Sequence, residues 1–269
     1  MVVVLAPSQR LERVCQKLFR WPKTGAEAAR LSPQLLPVPW HDPGAGMPVA
    51  ERRQAVAQDI QAVIWDFGGV ISSSPFDSFR RFEQERGLPQ DFLRGVNAIN
   101  HHDNAWARFE RNDIDLDGFD QAFATECAAL GQSVRGREVI ELLGGTVRPA
   151  MVDALRRLKP RLKIGLITNN VASPDSAGLN PSGRDEVLAL FHVVIESSKA
   201  GIRKPDPAIY VMMCDALGVA PGQAVFLDDL GVNLKPARQM GMHTIKVEDP
   251  DVALQQLEAL VGFALRGPA

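Results

Sequence analysis

Between residues 60 and 262, short apolar runs alternate with amphipathic stretches. The runs are "AVIWD" (62–66), "KIGLIT" (163–168), "HVVIE" (192–196), "AVFLD" (224–228) and "HTIKV" (243–247). They are β-branched and apolar throughout instead of polar at every second position, which predicts strands covered on both faces. Helical patterns separate the last four. Met151, Val152, Leu155 and Leu158 make one apolar face. "DPAIYVMMCDALG" (206–218) opens on an acidic cap with a proline and stops at a glycine, and "PDVALQQLEALVGF" repeats that pattern near the end. Strand–helix alternation predicts an α/β fold, a Rossmann-like parallel sheet core with helices on both faces.

One long gap breaks the alternation. Residues 75–148 carry helical patterns only, with Phe76, Phe79 and Phe82 on one face, Phe92, Val96 and Ile99 on a second, and Phe119, Phe123 and Cys127 on a third. This all-helical block, inserted after the first strand, reads as a cap over the mouth of the sheet. The expected organisation is a hydrolase core over 59–74 and 149–269, a cap over 75–148, and a disordered extension over 1–58. Within that extension, "LSPQLLPVPWHDPGAG" is rich in Pro and Gly and has no usable period. The short apolar run after Met1 makes a poor secretory signal. The basic segment from Arg10 to Lys23 could pass for a targeting helix, but residues 1–46 are expected to be dispensable.

Bulk composition narrows the function classes. With 269 residues, 45% hydrophobic and 23% charged, the chain is an ordinary globular protein of one to two domains. A formal net charge of -2 supplies no basic field for nucleic acid or an anionic membrane. No apolar stretch approaches the roughly 18 residues that span a bilayer. Cys15, Cys127 and Cys214 are odd in number and form no CxxC pair, which argues against a disulfide framework and for a reducing, cytoplasmic setting.

Chemistry gathers where the strands end. In an open parallel sheet, ligands bind beyond the carboxyl ends of the strands. The first run ends in Asp66, the second leads into Thr168-Asn169-Asn170, the third into "ESSKAGIRKPDP" with Lys204, and the fourth ends in Asp228-Asp229. Each alone is ordinary cap or turn chemistry. All four at successive strand ends predict one cavity walled by carboxylates, a hydroxyl, an amide and a lysine. Gly68 and Gly69 let the backbone turn sharply beside Asp66 and approach a ligand. Other motifs fail. "DIDLDG" (113–118) begins like a calcium loop, but its twelfth position is Ala124 where a bidentate Glu is required, so it reads as a polar turn before the helix at Phe119. No GxGxxG follows the first strand. Trp106 and Phe109 read as packing between cap helices.

"WDFGGV", "LITNN", "GIRKPDPAIY" and "VFLDDLGVNLKPARQMGMHTI" resemble the four motifs of the haloacid dehalogenase superfamily of hydrolases, in the branch with a helical cap between the first two. The wording is similar to the N-terminal phosphatase domain of soluble epoxide hydrolase and to the domain preceding some acyl-CoA dehydrogenases, over about residues 60–262. The resemblance implies a Mg²⁺-dependent phosphomonoester hydrolase acting on a small phosphorylated metabolite. It implies Asp66 as the nucleophile that becomes an aspartyl-phosphate, and Asp66, the Gly68 carbonyl, Asp229 and Asp228 as the metal site, with Asn233 in support. Thr168 and Asn169 would bind phosphate oxygens, and Lys204 would neutralise one and hold Asp66 ionised.

One departure matters. Phosphatases of this family usually carry a second Asp two residues after the first, as acid and base, and here Gly68 stands in that place. Three routes remain: a substrate with a good leaving group, a stand-in from the cap such as His101 or His102, or weak catalysis. The alternative functions are a metal-independent 2-haloacid dehalogenase-type hydrolase and a phosphate-binding module. Paired acids at the fourth strand favour phosphoryl chemistry over the first, and retention of Asp66, Thr168 and Lys204 argues against the second.

Overall fold

In the computed structural model, residues 3–4, 60–171 and 181–267 are described. In chain order the elements begin with Val3–Val4 (β1) and Ala62–Trp65 (β2). Five helices follow: Phe76–Arg86 (α1), Phe92–Ala98 (α2), Ala105–Glu110 (α3), Leu116–Ala129 (α4) and Gly136–Ile140 (α5). Then come Pro149–Leu158 (α6), Lys163–Thr168 (β3), Pro181–Leu188 (α7), Val193–Glu196 (β4), Ser197–Ala200 (α8) and Pro207–Leu217 (α9). Ala224–Asp228 (β5), Gly231–Gln239 (α10), His243–Lys246 (β6) and Pro250–Val261 (α11) complete the chain.

The sheet is parallel, in the order β1-β4-β3-β2-β5-β6. The five apolar runs supply β2 to β6. Val3–Val4, inside the segment expected as a disordered extension, lie on the sheet edge against Val193 and Val194. The other residues of 1–58, Cys15 among them, lie outside the described residues.

Alternate strand positions feed opposite layers. Val63, Trp65, Val225 and Leu227 pack against Met151, Leu155, Leu254 and Leu257 of α6 and α11. Ala62, Ile64, Ala224 and Phe226 pack against Ile209, Tyr210 and Met213 of α9. Each fully buried side chain of this size contributes about 1.5–3 kcal/mol, and burial on both faces is why the strands carry no polar alternation. The helices start and stop on local chemistry: Asp206 caps α9 by accepting from Ala208 N at 2.9 Å, and Asp249 caps α11 by accepting from Asp251 N at 2.8 Å.

Helices α1 to α5 have an apolar cluster of their own, built on Phe79, Leu93, Phe109, Phe119, Phe123 and Cys127. Phe119 is its centre, stacked on Phe109 at 4.6 Å and edge-on to Trp106 at 5.3 Å. Two expected positions differ. Ile99 falls past the end of α2 and is 56% exposed. Asp115, inside "DIDLDG", is the cap of α4 and accepts from Gly118 N at 2.8 Å. The chain crosses between the sheet and these helices at one neck. There Ser72 pairs antiparallel with Val147, and Ser73 N donates to Thr146 O at 2.8 Å. Among the described residues no helix is long and apolar enough to cross a membrane.

Candidate active site

Sheet register assembles the site floor. Trp65 pairs with Leu166 on one side and Leu227 on the other, so the next residue, Asp66, comes level with Ile167 and Asp228. Lys204 Nζ reaches Asp66 Oδ1 at 2.8 Å and Asp228 Oδ2 at 2.7 Å. Lys204 and Asp228 are both 0% exposed. Asp228 also accepts from Asn233 Nδ2 on both oxygens, at 3.0 and 3.1 Å, and from Leu230 N at 2.8 Å, so it caps the entry to α10 as well. Asp66 Oδ1 takes a second hydrogen bond, from Phe67 N at 2.7 Å. No hydrogen bond among the described residues engages Asp66 Oδ2. Asp66, Asp228 and Asp229 each offer an oxygen, all within 4.8 Å of one another.

The two glycines after Asp66 do different things. Gly69 has φ +75°, and a Cβ there would lie 2.2 Å from Asp229 Oδ2. Its glycine is needed for the backbone conformation and for the approach of Asp229. Gly68 has φ −68° and ψ 132°, open to any residue, and a Cβ there meets nothing within 4 Å. The sharp turn therefore belongs to Gly69 alone, and the missing second acid at Gly68 is a vacancy the fold can accept. Arg148 staples this turn from outside, donating from Nη1 to Gly69 O at 2.6 Å and Val70 O at 3.3 Å.

Burial dominates the electrostatics. It pushes the Asp66 carboxyl up to about 8, against the pull of Lys204 and with a further push from Asp228 and Asp229. Burial and the neighbouring Asp228 push Asp229 up to about 6. Burial opposes charge on Lys204, but Asp228 and Asp66 outweigh it and raise its pKa. Lysine thus pulls Asp66 in the expected direction without overcoming burial. Three carboxyl groups face one ammonium, and a small divalent cation with oxygen ligands would favour their ionised forms against burial.

Thr168 and Asn169 are both at the floor and line the cavity above it. Asn169 is also a clamp: its Nδ2 donates to Lys204 O at 3.0 Å and its Oδ1 accepts from Lys204 N at 2.9 Å. Asn170 ties down the next strand, donating from Nδ2 to Glu196 Oε1 at 3.1 Å and accepting from Ser198 Oγ at 2.9 Å. The cavity measures 770 Å³ and runs from Asp66, Gly68 and Asp229 up to Phe76, Trp106 and His101 of the helical block. Trp106 both packs on Phe119 and faces the cavity, where sequence reading favoured packing over contact with a substrate. Of the two histidines considered, His101 lines the cavity, and His102 is exposed.

The structure brings together all the residues expected at the site: Asp66, Gly68, Thr168, Asn169, Lys204, Asp228, Asp229 and Asn233. Sequence reasoning missed Arg148, whose bond to Gly69 O joins segments 79 positions apart and leaves no local signal. The buried thiols are not candidates, since burial pushes Cys127 up to about 12 and Cys214 to about 11.

A parallel sheet whose carboxyl edge carries buried acids around one lysine, under an inserted helical block, defines a class of carboxylate-based hydrolases. A family model described as haloacid dehalogenase-like hydrolase matches residues 60–241, and the chain belongs to that family. It is 34% identical over 216 residues to acyl-CoA dehydrogenase family member 10 of Mus musculus, covering 76% of this chain and 19% of that protein. It is 32% identical over 220 residues to bifunctional epoxide hydrolase 2 of Sus scrofa, covering 77% of this chain and 40% of that protein. The chain thus spans less than half the length of either relative. A Mycobacterium tuberculosis protein named phosphatase MT3486 is 29% identical over 201 residues, with 70% of this chain and 88% of that one covered. A solved HAD-like family hydrolase from Porphyromonas gingivalis shares the fold at a TM-score of 0.51 and 21% identity, covering 74% of this chain and 97% of that one. The chain thus belongs to a hydrolase family and has a protein named as a phosphatase among its relatives.

Proposed function

We propose that the protein is a Mg²⁺-dependent phosphomonoester hydrolase that works through an aspartyl-phosphate on Asp66, with residues 59–74 and 149–269 as its core and 75–148 as its cap. The observation that carries this reading is the cluster of Asp66, Lys204, Asp228 and Asp229 at one strand edge. Lys204 and the Phe67 N–H hold Oδ1 of Asp66, which leaves Oδ2 to attack phosphorus. The bond from phosphorus to the leaving oxygen breaks and its electron pair stays on that oxygen. Water then attacks phosphorus, releasing inorganic phosphate and restoring Asp66. Thr168 and Asn169 would orient phosphate oxygens, and the third Nζ hydrogen of Lys204 would reach one more. Asp66, the Gly68 carbonyl and Asp229 would hold Mg²⁺ with Asp228 behind them. Bound there, the ion would offset repulsion between the carboxylate and the phosphate dianion.

No acid stands at position 68, so the leaving oxygen must depart with little help. Substrates whose alcohol is itself acidic suit such a site. The wall above the floor adds a second selection. Glu110, Arg184, Arg203 and Asn104 line it but are already engaged with neighbours, and Phe76, Phe79, Trp106 and Leu143 offer apolar surface beside the polar groups of Asn97 and His101. The favoured substrate has a phosphate on a largely apolar body, and aryl phosphates should outrank sugar phosphates. Two buried free thiols are compatible with a reducing, cytoplasmic setting. Magnesium-dependent release of phosphate from an aryl phosphate by the wild type, abolished by chelator and by Asp66→Asn, is the expected result. Equal background in both proteins would leave a phosphate-binding module, and chloride release insensitive to chelator would make it a dehalogenase.

A further inference from the structure

Away from the neck, Arg203 makes two polar contacts with the helical block. Glu110, at the end of α3, is buried and lies 2.6 Å through Oε2 from Arg203 Nε, a close charge contact without hydrogen-bond alignment. It is the only ion pair among the described residues between 75–148 and the rest of the chain. The other Glu110 oxygen, Oε1, accepts from Trp106 Nε1 at 2.9 Å. Arg203 Nη1 donates to His101 O at 2.9 Å. Both ends of the pair are anchored. Arg203 immediately precedes Lys204, whose backbone is gripped on both sides by the Asn169 amide. Trp106 is held against Phe119 in the cap's own apolar cluster. All four of His101, Trp106, Glu110 and Arg203 line the cavity.

We propose that Glu110 and Arg203 are positioning residues that form a latch: they hold the cap down over the floor and fix the Trp106 indole against the leaving group. This rests on the phosphatase reading above. The latch acts through Trp106 and touches no phosphate oxygen, so it sets how well the substrate body is held. Loss of the pair lets the cap populate raised positions, and apparent affinity falls in proportion to the fraction still seated. The bond-making step, set by the floor, is unaffected once substrate is seated.

The test is a double-mutant cycle in the full chain with Glu110→Gln, Arg203→Gln and the two together. Hydrolysis of p-nitrophenyl phosphate and of the bulkier naphthyl phosphate is measured with Mg²⁺, alongside amide hydrogen exchange of the free proteins. Each single change should raise KM for naphthyl phosphate about tenfold with kcat within about twofold, and the double variant should match Arg203→Gln, which already loses both the pair and the bond to His101 O. Arg203→Lys, which keeps the charge, should recover part of the KM. Exchange over residues 97–111 should quicken in each variant while β2 to β5 stay protected. Additive KM effects, a loss confined to kcat, or unchanged exchange over 97–111 would overturn the latch. If the wild type hydrolyses no phosphomonoester, the phosphatase reading fails by itself, and the exchange arm still decides whether the pair seats the cap.

Discussion

Polar residues stand at or beside both ends of the central strands, and the two edges of the sheet treat them in opposite ways. At the amino edge, Lys163 and His192 remain exposed. Each makes a local bond: Lys163 Nζ donates to Leu217 O at 2.6 Å, and His192 Nδ1 accepts from Ile164 N at 2.9 Å. At the carboxyl edge, Asp66, Thr168, Glu196 and Asp228 are all buried. The strands are the same and the spacing is the same. What differs is that helices and loops after each strand close over one edge and leave the other to water. Polar groups on the closed edge must satisfy one another, and that constraint turns separate turn residues into one charged cluster.

The comparison can be broken most sharply at Asp66. Asp66→Asn should lower turnover of an aryl phosphate by at least about 10³-fold, because the variant lacks the attacking carboxylate. A variant retaining more than a tenth of wild-type rate would remove Asp66 from the chemistry. Next is Lys204→Gln. It strands two buried carboxylates and should cost about 3–5 kcal/mol in denaturant unfolding. The matched change on the open edge, Lys163→Gln, should cost under about 1 kcal/mol. Equal losses at the two lysines would mean that burial does not distinguish the edges.

Gly68→Asp supplies the absent acid where the backbone and the space above it permit one. Turnover of a poor leaving group such as an alkyl phosphate should rise by about 10²-fold, the lower end of what a positioned acid–base contributes. Aryl phosphates should gain much less, and a uniform gain would point to a cause other than proton transfer. The smallest effect belongs to the open edge. Burial and Lys159 hold the His192 imidazole below its ordinary 6.5. The unfolded chain then binds this proton more readily than the folded one. Stability from His192 is complete above pH 6.5 and declines as pH falls toward the folded value. His192→Gln should flatten that decline in a thermal-unfolding series between pH 7.5 and 5.5, and an unchanged slope would assign it to other groups.

Much of the carboxyl edge was legible beforehand because apolar runs mark strands and the residue after each run must lie at its end. Asp66 and Asp228-Asp229 followed from that alone, whereas Lys204, eight residues past the end of β4, needed the motif around it as well. The division of labour inside the cluster did not. Whether Gly68 or Gly69 needs to be glycine depends on where Asp229, some 160 positions later, places its carboxylate. Asn169 reads equally well as a phosphate ligand or as a clamp on Lys204, and only tertiary geometry shows the clamp. Arg148 and the Glu110–Arg203 pair join segments with no shared pattern. The helical block was visible because its phenylalanines repeat at helical spacing, yet that same spacing carried Ile99 onto a face the helix does not reach.

The neck also bears on how the molecule could be rebuilt. Strand and helical block are joined by two adjacent crossings, with Arg148 N bonded to Ile71 O at 2.8 Å beside the Ser73–Thr146 bond. A segment that leaves and re-enters at one doorway can be excised and the ends spliced by a short turn, without rerouting any strand. The protein is thereby a natural chassis for grafting: a sheet that could receive a different helical block by exchanging a single contiguous piece of gene.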